Sequence, residues 1–144
     1  MKKNVLFVAC LALLLSGCAG EFNKVLKSQD FDYRYEYAKQ CFAEGKFNNT
    51  VTWLEGMITS LKGGDNAQES LYMLAMAQYM THDFESASQT FRKYGSSYPK
   101  GIYAEKAAFY VGESLYESAP EPRLDQTPTI GAINADQRFI DLFP

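Results

Sequence analysis

The chain repeats itself at an offset of 37 residues, and that self-similarity limits its possible folds more than any other feature. Tyr35, Tyr72 and Phe109 fall in one column, and Phe42, Tyr79 and Tyr116 in another. Between them runs a small column, Ala38, Ala75 and Gly112, preceded by a bulky one, Tyr37, Leu74 and Val111. The first two copies continue in register, with Phe47 over Phe84, Thr50 over Ala87, Leu54 over Phe91 and Met57 over Tyr94. A unit this short does not bury its apolar face alone, so the period predicts stacked supersecondary units that cover one another.

Within a copy the spacing is helical. Leu71, Leu74, Ala75 and Gln78 form one stripe, and Tyr72, Met76 and Tyr79 form a second apolar face displaced around the helix, as in a helix packed on two sides. Gly63-Gly64 ends one helix, Asp65 with Gln68 reads as a capping box, Thr81 to Asp83 makes a tight turn and Pro99 closes the pair. These signals predict helices near 31–44, 48–61, 66–80, 84–97 and 102–118. A two-helix unit of about 34 residues with a small residue in its first helix and an aromatic-x-x-Ala-x-x-x-Phe run in its second resembles the tetratricopeptide repeat. Phe84-x-x-Ala87-x-x-x-Phe91 followed by Pro99 carries that resemblance best, and Thr50 departs from it where alanine is usual. The third copy is interrupted by Ala119 to Gln126, whose two prolines forbid a continuous helix. Thr127 then offers an N-cap, Pro128 a first helical position, and a last helix is expected over about 128–142. Aligning Ala132 and Pro144 with Ala87 and Pro99 makes it the partner helix, after a loop insertion.

The chain of 144 residues is 47% hydrophobic, enough for a packed core, and its 14 basic against 17 acidic side chains argue against a nucleic-acid binder. Residues 1–17 read as an export signal: Lys2 and Lys3, an apolar stretch from Val5 to Leu15, then Ser16-Gly17. The apolar stretch is too short to span a bilayer. Leu15-Ser16-Gly17-Cys18 resembles the lipobox of bacterial lipoproteins, which implies cleavage before Cys18, a diacylglycerol thioether on it and an amide-linked acyl chain. Two or more chains hold a protein on a membrane where one does not. Ala19-Gly20, with no aspartate beside the cysteine, resembles the pattern of lipoproteins released to the outer membrane. Removing the leader takes Cys10 with it, leaving Cys41 as the one unmodified cysteine, so no internal disulfide, zinc site or haem attachment is expected.

The expected architecture is therefore all-α: a lipoprotein signal peptide (1–17), a lipid anchor and short tether (18–30) and a tetratricopeptide solenoid (31–144) of about three helix pairs, with repeats near 31–64, 65–101 and 102–144. Lipobox, tandem repeats, Tyr103-Ala104-Glu105-Lys106-Ala107 and the loop Pro120-Glu121-Pro122-Arg123-Leu124-Asp125-Gln126 together resemble the BamD family, over residues 15–144. The resemblance implies a non-enzymatic, lipid-anchored protein on the periplasmic face of the outer membrane. It implies two partners: a BamA-like barrel assembly protein, associated with later repeats, and unfolded outer-membrane protein precursors, associated with the first ones. Family members have about five repeats, so a chain ending at its third is expected to be a truncated product, its last helix uncovered at Phe139, Ile140 and Phe143.

In such a superhelix the first helix of each repeat lines a groove. Spacing of i, i+4, i+7 selects Tyr35, Lys39 and Phe42, then Tyr72, Met76 and Tyr79, then Phe109, Glu113 and Tyr116. Each alone reads more readily as partly core, packed between helices; the set reads as an aromatic groove for extended apolar-aromatic peptide. An alternative takes the same tyrosines as platforms for sugars in a SusD-like, glycan-binding outer-membrane lipoprotein, although those proteins are longer and break up their repeats. His82 falls in an interhelical turn where glycine is usual and takes a structural role; Cys41, on the inward stripe, reads as a small buried hydrophobe. Glu113, Glu117 and Glu121 have no nucleophile or metal ligand near them in sequence, so no enzyme and no cofactor is expected.

Overall fold

Repeat register and burial coincide. The computed structural model describes residues 23–144 except 26, 29, 62 and 65. The leader and Cys18 lie outside the described residues. The chain is all-α and of the tetratricopeptide-like solenoid class, with α1 (Phe31–Ala43), α2 (Phe47–Leu61), α3 (Ala67–Met80), α4 (Phe84–Ser97), α5 (Ala104–Glu117) and α6 (Thr127–Leu142), and no strand among the described residues. It divides into two compact units, Met1–Tyr37 and Ala38–Pro144. In the first, Asp30 starts α1: its Oδ1 accepts from the N–H groups of Asp32 at 3.0 Å and Tyr33 at 3.2 Å. Val25 and Tyr35 are its buried apolar side chains.

In the second unit each helix from α2 onward packs on the next. Four of the columns read from sequence are buried throughout: Ala38, Ala75 and Gly112; Leu54 and Phe91; Met57 and Tyr94; Thr50 and Ala87. Thr50 keeps its place because its hydroxyl donates to the Lys46 carbonyl at 3.3 Å and reaches that of Ala38 at 3.5 Å. Gly112 has a different reason for being small. A Cβ there would collide with the Asp136 carboxylate of α6, so the two helices meet closely at that point.

The turn between paired helices is the same object twice. In the first, Gly45 has φ +74°, its N–H donates to Phe42 O at 3.0 Å, and the Lys46 N–H reaches back to Cys41 O at 2.8 Å. One repeat later His82 has φ +61°, its N–H donates to Tyr79 O at 3.0 Å, and the Asp83 N–H reaches Gln78 O at 3.0 Å. Both are Schellman closures with a left-handed residue just past the helix end. Asp83 then caps α4, its carboxylate accepting from the Ser86 N–H at 3.2 Å. Ring packing repeats too: Phe42 meets Phe47 edge-on at 5.5 Å, and Tyr79 meets Phe84 at 5.3 Å. In the third copy the residue that should supply the long closing N–H is Pro120, which has none, and the chain leaves as a loop instead.

Two expected helix starts differ. Asp65 lies outside the described residues, and Asn66 is the N-cap of α3 without a side-chain cap bond. Gln68 does not serve a capping box: its Oε1 accepts from Tyr94 Oη at 2.7 Å and from the Ile102 N–H at 2.9 Å. At α6 the N-cap is Gln126, with Thr127 already helical and Pro128 one place further in than expected. Asp125 supplies the acceptor, taking Thr127 N–H at 3.0 Å and Thr127 Oγ1 at 2.7 Å. The Gln126 amide ties the loop together, donating to the carbonyls of Glu121 at 3.0 Å and Leu124 at 3.1 Å.

The repeated turn gives a reciprocal test. No atom lies within 4 Å of a Cβ built on Gly45, so Gly45→Ala should cost about 1 kcal/mol from backbone strain alone. His82→Gly should be neutral or stabilise by up to about 1 kcal/mol. Urea unfolding of both variants checks this, and a destabilising His82→Gly would show that the imidazole does more than tolerate the turn.

Candidate peptide-binding face

The residues expected to line the groove part company once they are placed. Tyr35 is 1% exposed. Tyr72 is partly buried and is a hub of ring contacts: stacked on Tyr103 with centroids 4.3 Å apart, and edge-on to Phe91 and Tyr94, each at 5.9 Å. Tyr79 sits edge-on to Phe84 at 5.3 Å and to Tyr110 at 5.1 Å, and Tyr110 in turn stacks on Phe91 at 5.3 Å. Met76, Tyr72 and Tyr79 all border the core formed by Leu71, Ala75, Phe91 and Tyr94. Lys39, Phe42 and Glu113 are partly buried. Phe109, 43% exposed, and Tyr116, 67% exposed, remain open.

The gradient has a cause. A ring in either column of α3 is covered by an aromatic of α5: Tyr103, at its N-cap, on Tyr72, and Tyr110 on Tyr79. Phe109 and Tyr116 occupy the same columns on α5, and of these Phe109 touches Tyr110 at 5.4 Å and Phe139 at 5.8 Å. Much of the aromatic surface predicted to bind thus also joins one helix pair to the next. Tyr103 and Tyr110 were missed in the sequence because neither belongs to a repeating aromatic column.

Electrostatics follow this packing. Burial, reinforced by the neighbouring phenols of Tyr110, Tyr103 and Tyr94, pushes the Tyr72 phenol up to about 12. Burial also raises Tyr79, and the negative charges of Glu113 and then Glu117 add to that. The accessible face therefore mixes Phe109, Tyr116 and the edge of Tyr79 with negative charge. Elsewhere, Cys41 is a buried thiol and His82 is exposed in its turn. Among the described residues no cluster of histidine, cysteine and carboxylate side chains could hold a metal.

A family model for the YfiO outer membrane lipoproteins matches residues 28–144, which takes in α1 to α6 and the Pro120–Gln126 loop. The chain belongs to the YfiO outer membrane lipoprotein family. No curated protein matches the sequence. Among the described residues no helix is long and apolar enough to cross a membrane, which fits an outer membrane lipoprotein family whose members are held by lipid.

Tyr72 separates packing from binding. Tyr72→Ala should lower stability by about 3 kcal/mol, near the lower end of the range for large aromatics. An unfolded phenol titrates near 10, so between about pH 10 and 12 the unfolded chain loses a proton that the native chain keeps. The Tyr72 contribution is therefore full below about pH 10 and is lost as pH rises toward 12. Tyr72→Phe should flatten that alkaline decline in denaturant titrations; an unchanged decline would remove Tyr72 as its source.

Proposed function

We propose that this chain is a lipid-anchored tetratricopeptide scaffold of the outer-membrane β-barrel assembly machinery, held by lipid on Cys18 at the periplasmic face of the outer membrane. It binds unfolded outer-membrane protein precursors and a BamA-like partner, and it is not an enzyme. The reading rests on membership of the outer membrane lipoprotein family together with a helical-repeat surface that leaves Phe109 and Tyr116 open. In this proposal the peptide lies along the first-helix faces, over Lys39 and Phe42, Met76 and Tyr79, and Phe109, Glu113 and Tyr116. Tyr72 supports the face from within. Apolar and aromatic side chains of an extended precursor meet rigid rings that lose little rotamer freedom on binding. The glycan reading has less support, since it needs several open tyrosine faces and of Tyr72, Tyr79 and Tyr116 only Tyr116 is not packed on another ring.

A fluorescence titration with the C-terminal peptide of a barrel protein tests the proposal. Phe109→Ala with Tyr116→Ala should weaken binding by roughly thirtyfold, the usual effect of losing about 2 kcal/mol at a hot spot. The melting temperature should fall less than in Tyr72→Ala, because Tyr116 is open and Phe109, which touches Tyr110 and Phe139, is only partly covered. Unchanged affinity in the folded double variant would place the peptide elsewhere.

A further inference from the structure

Helices α4 and α6 both pack on α5, and on one side they leave between them a cleft of about 750 Å³. It is open because the residues that face across it are small: Gly95 on α4, Ala108 on α5, Gly131 and Ala135 on α6. Phe91, Val111 and Phe139 add apolar lining. A volume of this size is that of a ligand or short-peptide site. On α5 the cleft uses Ala104, Ala108 and Val111, whose mean direction by helical spacing lies roughly 140° around the helix from that of Phe109, Glu113 and Tyr116. It is a different surface from the aromatic face and meets it where Phe139 touches Phe109.

Charge decides what it fits. Arg92 lines the cleft from α4 and Arg138 from α6, and no acidic side chain lines it. Both arginines are exposed, and among the described residues neither is in an ion pair. The chain as a whole is acidic, with a net charge of −3, so two guanidiniums on one apolar cleft run against its overall balance. Guanidinium stays charged at any physiological pH and grips carboxylate in a two-pronged geometry. The geometry points to a docking site for an acidic-apolar peptide segment of a partner protein: Asp or Glu side chains held by Arg92 and Arg138, with a bulky apolar side chain between them seated over Ala108 and Ala135.

The test uses the full chain and a fluorescent peptide blocked at both ends, with two glutamates flanking Leu-Phe. Binding should weaken about tenfold or more in Arg92→Gln and in Arg138→Gln, with melting unchanged, and should weaken with added salt. Tyr116→Ala, whose side chain does not line the cleft, should leave it intact, which keeps this result distinct from the precursor-binding test. The proposal is overturned if the arginine variants bind as the parent does, or if the matching glutamine peptide binds equally well. It is equally overturned if only a free C-terminal carboxylate binds, or if sedimentation shows the cleft filled by a second copy through the same arginines.

Discussion

One side-chain oxygen joins the middle of the chain. Gln68, in the first turn of α3, accepts on Oε1 both the Tyr94 hydroxyl of α4 and the Ile102 N–H ahead of α5. Tyr94 is fully buried, and its hydroxyl also accepts from the Tyr103 N–H at 3.2 Å. A single polar node thus fixes both helices of the second pair and the entry to the third. A neutral hydrogen bond contributes only about 1 kcal/mol net, yet a buried hydroxyl or N–H left unpaired costs more than that, so the node acts through what its loss would strand. Gly101 belongs to it as well, since a Cβ there would press on Tyr94 Oη and Gln68 Oε1.

The aromatic packing depends on that fixed entry. Tyr103 stacks on Tyr72 only because the turn before it is held against Tyr94, and Tyr110, two turns along α5, then reaches Tyr79 and Phe91. The third helix pair contributes the rings that cover the second, which is how nearest-neighbour stability arises in a repeat protein. On α6 the outward Ile130, Ile133 and Ile140 are 60%, 64% and 60% exposed, whereas Phe139 is drawn in against Phe109. Of the residues expected to stand uncovered there, Ile140 does and Phe139 is partly covered.

The repeat made the fold legible. A 37-residue register aligned Gly45 with His82 and Phe42-Phe47 with Tyr79-Phe84, and those pairs share backbone turn and ring geometry. Helix ends were readable where backbone chemistry sets them, at Pro120 and at the Schellman turns. They were less so where a neighbouring side chain does: Asp125 took over the capping expected of Thr127, and Gln68 was drawn away by Tyr94. The site was only partly legible. Spacing finds a face but not what covers it, so Tyr72 and Phe109 look equivalent in sequence although one is a packing hub and the other is open. The smallness of Gly112 was visible, while its reason, the Asp136 carboxylate, is a tertiary contact with no local signal. Arg92 and Arg138, far apart in sequence, meet on one cleft only through the packing of α4 and α6 on α5.

The central claim is that Gln68 and Tyr94 act as one unit in holding the second pair to the third. A double-mutant cycle with Gln68→Ala, Tyr94→Phe and the pair of substitutions together, read by urea unfolding, measures this directly. The account predicts a coupling of at least about 1 kcal/mol, because either change alone already strands the partner. Additivity within about 0.3 kcal/mol would contradict it, showing that the two residues stabilise the fold independently and that the ring packing sets the entry to α5 by itself.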